Sequence, residues 1–451
     1  MPKPREPNAR LRDAIAATGW TYESLARRVR QVALENGEVL RTNKSAIAHW
    51  IEGTEPSRQT AGYLAEALSR GAGHPVTLTQ IGLAEPGAGP SLAGSDPVGT
   101  ATALGRADVE HRRFLAAAAF TVAGVAMPLS HDHEAASRML RARTGTVMAG
   151  AAEVEVIRQV TAVFGAADEI LGGGHGLTTV AAYLADTAAP ALRGRFANGQ
   201  ARRQAFGAVA ELAYLAGFKH HDLGHEGAAQ RYYQAGFQLA CEADPRAHAG
   251  WMMRAVAQQA LSLKQPRFCV DLIDGALRRS LGFADGGTEA LLRITRARAL
   301  AAIGEKARAA RALLAAETAL SRDGEPQPSF SLITGPAAGT VDSHTARTLT
   351  ELGDHAGAEK RHQAALLSWD AEKYKRVHML TYADLGDCLA AQARADEAVA
   401  TWNRAMDLIA GMSSARSIGA VSSIRPVLAI YRRRGVPGAA DLERRCREAL
   451  T

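Results

Sequence analysis

Residues 381–406 read TYADLGDCLAAQARADEAVATWNRAM, and their spacing of small and large side chains predicts two helices laid against each other. Gly386 and Ala398 are small enough for two antiparallel helices to approach closely, while Leu389 and Trp402 are large enough to fill the seam toward a neighbouring pair. One pair alone leaves that seam in water. The reading therefore requires further copies.

Copies are present upstream. A small residue, a bulky one four later and an Ala three after that recur as Ala228/Tyr232/Ala235, Cys269/Ile273/Ala276, Ala309/Leu313/Ala316, Ala358/His362/Ala365 and Ala398/Trp402/Ala405. Their first members are 41, 40, 49 and 40 residues apart. The order Tyr382, Leu385, Gly386, Leu389, Ala398, Trp402, Ala405 resembles the tetratricopeptide repeat, which implies a right-handed α-solenoid with a concave face. The 49-residue interval holds RDGEPQPSFSLITGPAAG (322–339), whose Pro and Gly content predicts a surface loop.

Composition agrees with helices throughout. Of 451 residues, 47% are hydrophobic but only 5% aromatic, so the interior rests on Ala, Leu and Val and the fold class is all-α. Four zones separate: a compact helical unit over 1–83, a flexible Gly/Pro/Ser linker over 84–107, an apolar connecting helix over 108–150, and a helical array over 151–451. The uncharged run Phe114–Ser130 follows Arg112 and Arg113 but is shorter than the ~20 residues that cross a bilayer. It also lies far from the N-terminus and lacks the spacer of a twin-arginine export signal, so it is expected to be a buried packing helix.

The net charge of +7 divides into +3 on residues 1–83 and +4 on the remainder, so bulk charge alone points to no partner. Placement has to decide. Cys241, Cys269, Cys388 and Cys446 stand singly, without metal or redox spacing, as expected of reduced thiols in a cytoplasmic protein.

Within the first zone, NARLRDAIAATG, TYESLARRVRQVALENG, TNKSAIAHWIEG and EPSRQTAGYLAEALS predict four helices, the second capped by Thr21, the third ended by Gly53 and the fourth capped by Ser57. On the third helix Ile47, Trp50 and Ile51 form an apolar stripe able to pack on Leu25, Ala26 and Val29. The opposite edge carries Asn43, Lys44, Ser45 and His49, residue types that bond to base edges in a major groove. Arg27, Arg28, Arg30, Arg41 and Arg58 are available for phosphates of double-stranded DNA. The plainer alternative is a bundle whose polar face is only solvated.

Through SLARRV (24–29) and SAIAHWIEGTEPS (45–57), this unit resembles the Xre or Cro/repressor family of helix-turn-helix domains. The full layout is similar to a group of actinobacterial regulators that join such a domain to a degenerate tetratricopeptide array. The stretches 163–194, 222–244 and 421–435 carry that likeness along most of the chain. The resemblance implies a role in controlling differentiation or secondary metabolism.

Other constellations lead elsewhere. KHHDLGH (219–225) sets His221 and His225 four apart, a metal-binding spacing, but offers no evident third ligand and reads as an inter-helix turn. HDHE (131–134) reads as a solvated loop. LGGGHG (171–176) lacks the Lys-Ser/Thr of a phosphate loop and reads as a helix-ending turn. Nothing in local sequence supports a nucleophile–base pair or paired carboxylates, so neither enzyme nor cofactor is expected. At the inner-helix positions of the repeats stand Arg254, Gln258, Arg298, Arg347 and Asp387, a candidate carboxylate-binding strip on the concave face unless they are solvated or pair between repeats.

Together these features predict a cytoplasmic transcription regulator that binds double-stranded DNA and senses a peptide, protein or small molecule, with homodimerisation and a two-fold operator plausible. Two rivals stand beside it: a protein–protein scaffold whose N-terminal helices only dock, and a membrane tether through the Phe114 segment.

Overall fold

The computed structural model describes residues 7–34, 38–72, 76, 78, 80–83, 96–110, 148–149, 151–322 and 326–450. These are almost wholly helical, packed in a repeat-like arrangement. No described helix is long and apolar enough to cross a membrane. The Phe114 segment and HDHE lie outside the described residues, as does all of the expected connecting helix except 108–110 and 148–149.

Four helices build the N-terminal unit: α1 (Ala9–Thr18), α2 (Tyr22–Leu34), α3 (Lys44–Ile51) and α4 (Arg58–Ala72). Each has a side-chain cap at its start, because the first amides of a helix lack partners within it. Asn8 Oδ1 accepts from Leu11 N at 2.9 Å, Thr21 Oγ1 from Ser24 N at 3.2 Å, Asn43 Oδ1 from Ala46 N at 3.0 Å and Ser57 Oγ from Thr60 N at 3.2 Å. Leu11, Ile15, Leu25, Val29, Ile47, Leu64 and Leu68 form a core of their own.

The expected linker needs correction. From Pro97 to Glu110 the chain is a helix, α5, opened by Asp96, whose Oδ1 accepts from Val98 N at 3.0 Å. Asp followed by Pro is a helix start, and Val98, Ala101 and Leu104 then recur on one face and pack into the core of the array. That periodicity is hidden by the Gly and Thr around it.

The array opens with α6 (Ala151–Leu171) and α7 (Leu177–Tyr183), which continues through a π-helical turn (Leu184–Ala188) into α8 (Ala189–Ala191). Met148–Ala149 pairs in parallel with Arg195–Phe196, two residues a side. Helical pairs follow: α9 (Gly199–Asp222) with α10 (Glu226–Ala243), α11 (Ala247–Ser262) with α12 (Pro266–Ser280), and α13 (Gly286–Ala302) with α14 (Lys306–Leu320). Past a short helix α15 (Ser329–Leu332) come α16 (Ala337–Leu352) with α17 (His355–Ser368), α18 (Lys375–Ala391) with α19 (Ala395–Leu408), and α20 (Ala415–Arg433) with α21 (Ala439–Glu448). The recurring small residues Ala228, Cys269, Ala309, Ala358 and Ala398 are all buried on the second helix of their pairs. At Gly386 a Cβ would stand 2.3 Å from Cδ1 of the fully buried Trp402, so only glycine fits. All four cysteines are free and buried.

The Pro/Gly insertion is not the expected surface loop. Its α15 turns inward and buries Phe330 flat on His248, ring centroids 4.4 Å apart, and edge-on to Trp251, while Ser329 Oγ donates to Glu211 at 2.8 Å. One aromatic ring among prolines and glycines supplied the anchor.

The array also curls back on itself. Ser413 N donates to Leu171 O at 2.7 Å, Gly174 N donates to Ser413 O at 3.2 Å, and α18 meets α6 through Arg376. The LGGGHG turn makes this junction possible. At Gly172, with φ +83°, a Cβ would fall 2.3 Å from Ser413 O.

Candidate nucleic-acid interface and concave cavity

On α3 two faces divide sharply. Ile47 and Ile51 are buried and Trp50 is nearly so, whereas Lys44, Ser45 and His49 are exposed along the other edge. Asn43 is exposed too, but as N-cap its side-chain oxygen is engaged with Ala46 N. Its placement suits holding the helix start more than reading adenine.

Of the expected phosphate contacts, Arg27 and Arg41 are exposed, and Arg28 lies over the Trp20 ring at 4.0 Å with its edge in solvent. Arg30 is half-buried and its Nη1 donates to Thr42 O, fixing the segment that leads into α3. The Arg58 side chain lies outside what is described.

The second region is a cavity of about 700 Å³ on the inner side of the array. Arg254, Gln258, Arg298 and Arg347, expected from the repeat register, all line it. Arg254 is 2% exposed; its Nε donates to Leu291 O at 3.1 Å and to Thr295 Oγ1 at 3.0 Å, and burial pulls its pKa down to about 10. Burial, then the neighbouring Arg347, brings Arg298 down to about 9. Arg347 bonds Asp384 Oδ2 at 2.6 Å. Burial holds His344 well below the ordinary histidine range, aided by Arg298, Arg254, Arg347 and Arg416 around it.

Asp387 is a correction. It does not line the cavity but accepts from Trp402 Nε1 at 3.2 Å, and burial, then Asp384, raises its pKa to about 7. In this last regular pair the same register position faces its own second helix because the large Trp402 reaches across.

Sequence reasoning missed Arg376 and Arg416, which come from α18 and α20 and complete the cationic wall. Arg376 pairs with Asp168 at 2.7 Å, Glu169 at 2.8 Å and Asp222 at 3.2 Å; Arg376, Asp168 and Asp222 are nearly inaccessible to solvent and Glu169 is partly exposed. Lys219 Nζ adds Asp168 at 3.1 Å and donates to His175 O at 2.8 Å. Gly173 N and Ser414 Oγ donate to Asp222 at 2.9 and 3.0 Å. Burial works against the Asp222 carboxylate, yet Arg376 and Arg416 hold its pKa below the usual range. For Glu169 burial wins and the pKa rises. Arg376 and Asp168 are 208 residues apart in sequence, so local pattern carries no signal for this knot.

KHHDLGH forms the turn expected of it. His220 Nε2 lies 2.8 Å from Asp108 of α5, and His221 Nδ1 lies 2.9 Å from Glu226. Among the described residues no His/Cys/Asp/Glu group has metal-binding geometry.

Residues 11–84 match the family model described as the SP15 N-terminal domain, a span that coincides with the separate core around α1–α4. No curated protein matches the chain.

Proposed function

We propose that this protein is a sequence-specific DNA-binding regulator whose helical array holds an effector in its concave cavity. The observation that carries the reading is the division of α3: its isoleucines and tryptophan are buried while Lys44, Ser45 and His49 stand outward together. A short helix held by its apolar back presents that polar edge to a major groove. Lys44 donates to guanine, Ser45 and His49 extend the contact, and Arg27, Arg28 and Arg41 meet phosphates on either side. Asn43 and Arg30 set the angle of the helix through its cap and the Thr42 carbonyl.

Gel-shift measurement against fragments of the source genome tests this. Lys44→Ala relaxes sequence preference, because it removes a base contact. Arg41→Ala weakens every sequence alike and flattens the salt dependence by about one unit of slope. Uniform loss in both variants removes base reading by Lys44, and no DNA retention by the wild type leaves the scaffold reading in its place.

A further inference from the structure

We infer that the concave cavity is the receptor site for a small organic dianion, its two oxyanion groups, phosphate or carboxylate, held by Arg254 and Arg298. This deepens the effector half of the proposed function and rests on it.

Charge bookkeeping on the wall selects those two residues. Arg376, with Lys219 behind it, is met by Asp168, Glu169 and Asp222; Arg416 stands 3.8 Å from the same Asp222; Arg347 is met by Asp384. Among the described residues Arg254 and Arg298 form no ion pair; Asp384 and Glu351 act on Arg298 only from beyond that distance, Asp384 being taken by Arg347. Among the described residues the bonds of Arg254 to protein run through its Nε, and its two Nη groups are left for the cavity that it lines. Arg254 is buried and Arg298 half-buried, neither in an ion pair, and a ligand with two negative charges offsets that cost.

A second, independent observation also points to a ligand. Glu169 Oε2, Gln259 Oε1, His344 Nδ1 and Trp369 Nε1 are buried polar atoms with no hydrogen-bond partner, and all four residues belong to the wall of this one cavity. Buried polar atoms are normally satisfied; Trp369 Nε1 and a protonated His344 Nδ1 can donate to an oxyanion, while the Glu169 and Gln259 oxygens accept from donors on the ligand body. Phe218 and Leu380 give the wall an apolar stretch for the ligand body. The volume suits one small molecule. Ile333 and Thr334 of the insertion form part of the wall.

The test is calorimetric titration of the full chain with inorganic pyrophosphate and, separately, with citrate, which distinguish a phosphate from a carboxylate source. One-site uptake of either anion is expected, weakened roughly tenfold or more in Arg298→Gln and unchanged in Arg434→Gln, an exposed arginine at the far end of α20 that does not line the wall. Gln258→Glu, which adds a negative charge at a half-buried position without emptying the core, weakens uptake as well and stands in should Arg298→Gln fail to fold. Uptake of neither anion, or equal uptake by the wild type and these wall variants, overturns the site. The same samples are run on DNA: specific retention without anion uptake overturns the dianion site and leaves DNA reading standing, whereas uptake without retention overturns DNA reading and leaves the site.

Discussion

Acid should loosen the middle of the array, and His248 is where the effect can be isolated. Its ring is 2% exposed, stacked on Phe330 with an interplanar angle of 11°, and burial, then Arg158, holds its pKa down to about 3 from an ordinary 6.5. Between pH 6.5 and 3 the unfolded chain therefore binds a proton here that the folded chain refuses. Stability rises with pH wherever the unfolded state holds more protons, so this contribution is intact above 6.5 and declines by about 1.4 kcal/mol per unit below it. From pH 7.5 to 5 the decline is about 2 kcal/mol. Asp387 acts with the opposite sign: its pKa near 7 means that protonation below 7 favours the folded state. The raw profile mixes the two, but the difference between wild type and His248→Gln removes Asp387 and every other shared group. Hydrogen exchange of peptides from 247–262 and 326–333, corrected for the intrinsic pH dependence, gives local opening free energies. The gap between wild type and variant should change by about 2 kcal/mol over that interval. Parallel profiles would refute the assignment of a neutral, proton-refusing imidazole.

Gly386→Ala gains about 1 kcal/mol of helix propensity but drives a methyl into Trp402, whose Nε1 is tied to Ala383 O at 3.2 Å. Overpacking of about 1–3 kcal/mol prevails, and the thermal midpoint followed by circular dichroism falls. Arg376→Met leaves Asp168 and Asp222 buried without their main counter-charge, a loss of about 3–5 kcal/mol, and small-angle scattering should show a larger radius of gyration as α6 parts from α18.

How much was legible depended on the range of the interaction. The caps of α2 and α4, the apolar stripe of α3 and the seam residues of the second helices follow from spacings of three and four residues, which the sequence displays directly. Arg254, Gln258, Arg298 and Arg347 reach one cavity because repeat register places them on successive inner helices. Register failed at Asp387, where one bulky partner redirected the side chain. It also failed at the insertion, since Pro and Gly describe the backbone there and Phe330 decides where the segment goes.

Closure of the array lay beyond pattern altogether, because it depends on curvature accumulated over the successive pairs. The buried knot at the closure has its own logic. A hydrophobic patch would bind α6 to several positions on α18 and α20 with similar energy, whereas Arg376 must satisfy Asp168, Glu169 and Asp222 together while Ser413 and Gly174 exchange a backbone bond. Desolvating these groups cancels much of their attraction, so the knot adds less to stability than to specificity. One arrangement of the two ends brings Arg376 against all three carboxylates, and that arrangement brings Arg376 and Arg416 to the wall already occupied by Arg254, Arg298 and Arg347. The cationic wall is thus completed by the closure, because Arg376 and Arg416, which fasten it, stand beside the three arginines of the inner helices.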